Sequence, residues 1–244
     1  MKMNITPRSK RNPWRNTRKD YYVPWNDVLA TIFMILLPLL ILSFSVNFVL
    51  RTSMFYSHYA SKTKIVKELG FYISDEDLSD TFTSFMQHKD KVFQLKEKTE
   101  YEPQDVFTKR ASDIMYDLRW FYDLVAIVSF LLFVIVIAIF VRLYLISEKK
   151  LLYESFKHSG IFLAVLLLLH TVLLSVKPIS KLIFRALFGV RFEPGDALIT
   201  IFNSSFPIYL SVATIIVAVL IFIAIGYIMI QLVKPKRMLE SREF

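Results

Sequence analysis

The 244-residue sequence predicts an all-α, polytopic membrane protein with four transmembrane helices and a small helical extracellular domain between helices 1 and 2. Three observations predict it. Four apolar runs, Val28–Leu50, Leu124–Val141, Ser159–Val176 and Phe206–Val233, contain no acid or base other than His170, and each has about the 18–25 residues that carry a helix across a bilayer core. The chain is 55 % hydrophobic, and a backbone in lipid must pair its polar groups internally, which favours helices. The charges also lie asymmetrically around the runs. Residues 1–27, 142–158 and 234–244 hold 15 bases and six acids, whereas the long loop 51–123 holds 11 bases against 13 acids and the loop 177–205 four against two. Because long loops count little in setting orientation, the basic tails and the short 142–158 loop are expected on the cytoplasmic side, both termini with them.

The elements follow in order. Residues 1–27 form a basic cytoplasmic tail whose first 23 residues bury little and are expected to be disordered. Tyr21, Tyr22 and Trp25 make an interfacial aromatic belt. The first span, 28–50, is too long for a cleavable signal and reads as a signal anchor. Pro38 in its middle removes a backbone donor and is expected to kink it. In the extracellular domain, 51–123, Ser74-Asp75-Glu76-Asp77 places a hydroxyl three residues before a carboxylate, close to a capping box. Leu78, Phe82, Phe85 and Met86 follow at helical spacing, so a helix is predicted from Asp75 to about His88. A second helix is predicted from Asp105 straight into the second span, 124–146. A cytoplasmic loop, 147–158, leads to the third span, 159–176. Residues 177–205 contain a segment, ISKLIFRALFG, expected to lie on the membrane with Leu182, Ile183, Leu187 and Phe188 in lipid. The fourth span, 206–233, returns to the cytoplasmic tail 234–244.

Composition removes several function classes. There is no cysteine, hence no disulfide, thiolate nucleophile or Cys-based metal site. No Gly-rich phosphate loop, Gly-x-Ser-x-Gly or His-Glu-x-x-His is present. The four histidines, His58, His88, His158 and His170, are too few and scattered for a metal site, so no metal and no cofactor are expected. The net charge of +9 sits at membrane-flanking positions that suit anionic headgroups better than nucleic acid. One ionisable residue in four spans, without an inverted repeat, argues against transport.

The candidate catalytic residues are Asp113, Asp117 and His170. Asp113 and Asp117 stand four apart above helix 2 and share a helix face. Paired carboxylates divide acid and base roles when their surroundings separate their pKa values. A solvated face with an Arg110–Asp113 or Asp117–Arg119 ion pair explains them equally well. His170 lies roughly 9 Å inside helix 3 at about 1.5 Å per residue, and an intramembrane ionisable group marks function by default. A hydrogen bond to Ser43, Ser45, Asn47 or Ser129 would give it a purely structural role. Arg119, Arg185, Arg191 and Asp196 are candidates for binding lipid or substrate. An arginine fork suits phosphate or carboxylate, although snorkelling to lipid phosphate accounts for Arg185 and Arg191 as well.

Two stretches carry a family resemblance. Phe107-x-x-Arg110, followed by Met115-x-Asp117-Leu118, resembles a Phe-x-x-Arg-Glu-x-x-His-Met-x-Asp-Val-Lys pattern. Phe184-x-x-Leu187-Phe188, followed by Asp196-Ala197-Leu198-Ile199 and Phe202, resembles Phe-His-x-x-Phe-Phe, then Asp-Pro-Leu-Ile and a Phe. Both patterns belong to the small bacterial membrane proteins of the lipoprotein intramolecular transacylase (Lit) family, which the chain resembles over most of its length. The resemblance implies a Gram-positive plasma membrane and an activity that moves an acyl chain from a lipoprotein's diacylglycerol to its N-terminal amine. The family's two functional histidines fall here on Ile114 and Arg185, and its glutamate on Ala111. Isoleucine accepts no proton and arginine stays protonated. The expected function is therefore handling of lipid or lipoprotein acyl chains at the outer leaflet without that histidine chemistry, by binding or as a partner subunit. An active acyltransferase using the substitutes above, and a regulatory or immunity membrane protein, are the alternatives. The expected partners are membrane lipids, together with lipoproteins or another membrane protein.

Overall fold

The computed structural model describes residues 24–98, 104–146, 148–179, 182, 185, 196–203 and 205–233. Eight helices occupy most of them: α1 Pro24–Leu50, α2 Ser53–Thr63, α3 Ile65–Leu69, α4 Asp75–Met86, α5 Lys109–Leu145, α6 Lys149–Ser175, α7 Ala197–Asn203 and α8 Phe206–Val233. Among the described residues there is no strand, only an isolated bridge between Lys96 and Asp105. Four helices, α1, α5, α6 and α8, are long and apolar enough to cross a membrane. Expectations for residues 1–23, 99–103 and 234–244, and for Ile183, Leu187, Phe188 and Arg191, lie outside the described residues.

The four long helices form a bundle around α1, which packs on α5, α6 and α8. Its buried stripe, Ala30, Phe33, Leu37 and Ile41, recurs at three and four residues as one helix face requires. The helix runs unbroken through Pro38. Leu143, Leu152, Phe156, Leu163, Ala218 and Met229 complete this core. The outward faces stay apolar: Phe130, Leu168 and Leu220 are each more than 60 % exposed, as lipid-facing side chains are. α6 starts at Lys149, well before the apolar run, because Leu152, Ser155, Phe156 and Ser159 carry its buried stripe back into the polar segment.

At the end of the bundle where α1 finishes and α8 begins, residues 51–98 and 104–123 fold into a helical cap whose core takes in Val46, Val49, Leu50 and Leu210 of those two helices. α2 and α3 are separated by Lys64 in the left-handed region (φ 54°), and Gly70 (φ 75°) ends α3 where only glycine is free of steric cost. The capping box forms as expected. The Ser74 hydroxyl accepts from the Asp77 N–H at 3.0 Å, and the Asp77 carboxylate accepts from the Ser74 N–H at 3.0 Å. Lys98 adds a 2.7 Å ion pair to Asp77. Hydrogen bonds from Lys98 and Ser74 hold the Asp77 carboxyl at about 2, below its ordinary 3.8. A group depressed on folding contributes stability above its unfolded pKa and loses it as pH falls through the folded value. The capping contribution is therefore expected intact above about pH 4 and lost towards pH 2. Ser74→Ala should cost about 1 kcal/mol, read as a lower urea midpoint for cap unfolding at neutral pH. The difference from the parent should shrink as pH falls from 4 to 2.

α5 begins at Lys109 rather than Asp105. Thr108 is its N-cap, accepting from the Ala111 N–H at 3.1 Å. Asp105 is drawn instead into the bridge with Lys96, and its carboxylate accepts from Gln94 Nε2 at 2.8 Å. From Lys109 the helix continues without a break into the bundle, as the sequence predicts. The cap core also takes in a distant segment. Ala197, Leu198, Ile201 and Phe202 of α7 are buried among Tyr59, Phe82, Phe107 and Met115, with Phe206 of α8 beside them.

Candidate functional site

The first turns of α5 present one side to the cap interior. Ile114 is only 9 % exposed and packs in the cap core with Ala111, Met115 and Leu118. Asp113 and Asp117 lie on the opposite, exposed face. Among the described residues neither carboxylate makes a hydrogen bond or ion pair. The Asp117–Arg119 pair is not formed, because residues two apart on a helix do not face each other. Arg119 instead stacks on the Phe85 ring at 4.0 Å and donates through Nη1 to the carbonyls of Phe85 and Asp90 at 3.2 Å each. It thereby fixes the chain leaving α4 against α5, combining cation–π attraction with two charge-assisted hydrogen bonds.

The second stretch supplies a structural carboxylate. Asp196 is 7 % exposed; it accepts from the Leu198 N–H at 2.9 Å and from the Thr108 hydroxyl at 2.8 Å. One side chain thus caps α7 and ties it to the start of α5, satisfying donors that burial would otherwise leave unpaired. Arg185 is helical and exposed. A small cavity lies between the two parts of the cap, lined by Tyr56, Tyr59, Leu78, Phe82, Ile201 and Phe206. It has room for about one water molecule and not for an acyl chain. The phenol of Tyr56 at its edge is pushed up by burial and donates to the Leu50 carbonyl at 2.8 Å.

A polar layer crosses the bundle near the cap. Ser129 of α5 donates to Ser43 of α1 at 2.9 Å, and Ser211 of α8 donates to Thr171 of α6 at 2.9 Å. The hydrogen bond expected from these groups to His170 is not made. Ser43 and Ser45 donate to carbonyls of their own helices, and the Ser129 hydroxyl also lies 2.7 Å from the Val125 carbonyl, an alternative acceptor for its one proton. Asn47 donates to the Ser43 carbonyl. Among the described residues His170 Nε2 is buried without a hydrogen-bond partner, as are Asn47 Oδ1 and Thr214 Oγ1.

The structure also assembles a constellation from residues that sequence reasoning passed over. Asp123 Oδ1 accepts from Arg51 Nη2 at 2.6 Å and lies 3.0 Å from His88 Nε2. The three side chains are 29 %, 30 % and 50 % exposed for Arg51, Asp123 and His88. Arg51 directly follows the last residue of α1, and Asp123 directly precedes the apolar run of α5, so both stand where the chain enters the membrane-spanning bundle. His88 is delivered by the turn after α4, with its backbone in the left-handed region (φ 62°). Gln87 Nε2 donates to the Arg51 carbonyl at 2.6 Å and anchors that turn to the end of α1. A signal for two of the three was present in the sequence, since Arg51 and Asp123 are the charges bordering two apolar runs. His88 had none, because its approach depends on how α4 packs.

Comparison with known proteins gives one result. A family model described as lipoprotein intramolecular transacylase Lit matches residues 31–206. This stretch runs from Thr31 within α1 through the cap, α5, α6 and α7 to the first residue of α8. No curated protein matches, and no solved structure matches.

Proposed function

The chain belongs to the lipoprotein intramolecular transacylase family and is a multi-pass membrane protein, and from that premise we propose that it takes up lipid or lipoprotein acyl chains at the outer leaflet, with no proton transfer by residues 114 and 185. The cap faces outward in this reading and both termini face the cytoplasm of a Gram-positive cell, as the basic tails favour. The observation that carries it is the burial of Ile114 in the apolar core of the cap. At that position the side chain supports packing and offers no base. In this reading the acyl chain is held against the exposed apolar faces of the bundle, where Phe130, Leu168 and Leu220 stand outward. The substrate is recruited by partitioning of its tails, each buried methylene contributing about 0.8 kcal/mol.

A diacylglyceryl lipopeptide with a photoactivatable group near the end of one acyl chain tests this on the full chain in nanodiscs. Labelling of α1 or α5 that is displaced by unlabelled diacyl lipopeptide, and not by the unacylated peptide, is expected. Equal displacement by the unacylated peptide would sink the reading.

The active-enzyme alternative through Asp113, Asp117 or His170 has weaker support. The two aspartates are exposed on the cap, and the His170 nitrogen lies buried within the bundle. Activity surviving Asp113→Asn, Asp117→Asn and His170→Ala together would remove that assignment.

A further inference from the structure

We infer that α5 and α6 part in the cap-side half of the bundle and leave a lateral groove, floored by Phe44 and Phe48 of α1, that holds one acyl chain of an uncharged glyceryl lipid. This site rests on the acyl-handling reading above and gives that chain its place.

The groove follows from one face of α1. Phe33, Leu37, Ile41, Phe44 and Phe48 succeed one another at spacings of three and four, so they form a single stripe. Phe33, Leu37 and Ile41 are 2 %, 3 % and 2 % exposed, whereas Phe44 and Phe48 are 52 % and 51 % exposed. α1 packs on three other helices, so its stripe is covered where those neighbours close over it and bare where they part. α6 changes at the same end. Its inward residues Leu152, Phe156, Ser159, Leu163 and Leu167 are buried, while His170 and Leu174, which continue that stripe, are only half-buried.

The contacts in this half identify the helices that part. α1 and α5 stay joined through Ser43 and Ser129 at 2.9 Å and through Arg51 and Asp123 at 2.6 Å. α6 and α8 stay joined through Thr171 and Ser211 at 2.9 Å. Val46 and Leu50 stand two residues after Phe44 and Phe48, on the other side of α1, and are buried with Leu210 of α8. Among the described residues the neighbours left beside the bare stripe are α5 and α6, which pack far less on each other than on α1. The short connection from Leu145 to Lys149 keeps their far ends together, so the gap widens towards the cap.

Depth, surface and charge choose the occupant. Phe44 stands six residues before the end of α1, about 9 Å at about 1.5 Å per residue, so the groove lies within one leaflet and opens sideways to lipid. The Phe44 and Phe48 rings stack with centroids 6.4 Å apart and planes 16° from parallel. They give a flat apolar floor on which a hydrocarbon chain gains many weak dispersion contacts. Ile41, buried where the helices meet, closes the inner end. Arg51 follows Phe48 by three residues on the same face and marks the level of the ester groups. Its charge is already met by the Asp123 carboxylate at 2.6 Å, which favours an uncharged glyceryl group over a phosphate.

The test uses the full chain in phosphatidylcholine nanodiscs, with Trp14, Trp25 and Trp120 changed to phenylalanine and one tryptophan reintroduced. Phe44→Trp reports the groove. Leu168→Trp, seven residues before the end of α6 and 67 % exposed in the parent, reports an open lipid face at similar depth. Phe48→Trp serves as a second groove reporter that does not depend on the folding of Phe44→Trp. The probe is a diacylglyceryl lipopeptide with brominated acyl chains, which quench tryptophan on contact, and native mass spectrometry reads its retention. At about one probe in ten lipids, a preference of about tenfold fills the groove about half the time, against about a tenth of the time for the open face. Quenching roughly fivefold stronger at the groove reporters than at Leu168→Trp is therefore expected. Brominated phosphatidylcholine is expected to quench both positions, and unbrominated lipopeptide to relieve about half of that quenching at the groove alone. Equal quenching of groove and open face by a retained lipopeptide would overturn the groove and leave the acyl-handling reading intact. Phosphatidylcholine quenching that the lipopeptide does not relieve would make the groove a phospholipid site and overturn the inference. Groove reporters quenched by neither lipid would mean another occupant, with the same consequence. Failure of the lipopeptide to be retained at all would remove the acyl-handling reading as well.

Discussion

Replacing Phe93 with alanine is expected to unfold the cap while leaving the helix bundle in place. Phe93 belongs to no helix; it sits in the connection between α4 and α5 and is fully buried. Its ring meets those of Phe82, Phe85 and Phe107 at centroid distances of 5.0, 5.2 and 4.6 Å. These rings come from α4 and from the chain just before α5, so one side chain joins both halves of the cap. Truncating a buried phenylalanine costs about 3–5 kcal/mol, since the cavity adds to the lost burial. A domain of this size has only about 5 kcal/mol to lose. The bundle core is a separate cluster built from Phe33, Leu37, Leu143, Phe156 and their neighbours, and helices in lipid keep their hydrogen bonds without the cap. Limited proteolysis of the full chain in nanodiscs should therefore cut Phe93→Ala within residues 51–108 and spare the long helices. A protease-resistant cap with an unchanged urea midpoint would refute this account of its core.

The second large effect is expected at Gly160. A Cβ at this position would lie 2.8 Å from Phe222 Cζ of α8, and one at Gly226 would lie 3.3 Å from Phe156 Cζ of α6. Phe156 and Phe222 stack with centroids 4.7 Å apart and planes 7° from parallel. Each ring therefore occupies the space left by the other helix's glycine, which brings α6 and α8 close, as small residues do between helices in lipid. Gly160→Leu places a branched side chain in the path of Phe222 and should destabilise the bundle by about 1–3 kcal/mol. Gly160→Ala should cost much less, because the helix-propensity gain of about 1 kcal/mol opposes the contact. Adding Phe222→Ala to Gly160→Leu should recover much of the loss, a coupling that thermal unfolding of the four variants would measure. Additive effects would mean that the glycine is not there for the ring.

Some of the fold was legible because its causes are local. Each apolar run announces a long helix by its length, and Ser74 with Asp77 announces the start of α4 by spacing alone. Other features escaped because they depend on partners far away in the chain. Asp105 favoured a helix start locally, but pairing with Lys96 drew it into a bridge. Arg119 was expected beside Asp117, yet the Phe85 ring and two backbone carbonyls outcompete a carboxylate on the wrong side of the helix. The segment after α6 read as a surface element from its amphipathic start, whereas Leu198 and Ile201 at its far end are buried in the cap.

The candidate site divides in the same way. Arg51 and Asp123 could be placed at one membrane level from sequence, because each borders an apolar run and a charge there is held out of lipid. His88 read as one of four scattered histidines until α4 folded against α1 and α5, with the Gln87–Arg51 contact fixing the intervening turn.

By itself the sequence determined that this chain is a four-span helical membrane protein, because hydrophobic length and backbone hydrogen bonding in lipid leave no other spanning form for such runs. Only the tertiary structure decided that Ile114 is core, that Asp196 is a cap and that His88 meets Asp123. The Thr108–Asp196 and His88–Asp123 contacts join residues 88 and 35 positions apart, and such contacts depend on how whole elements pack.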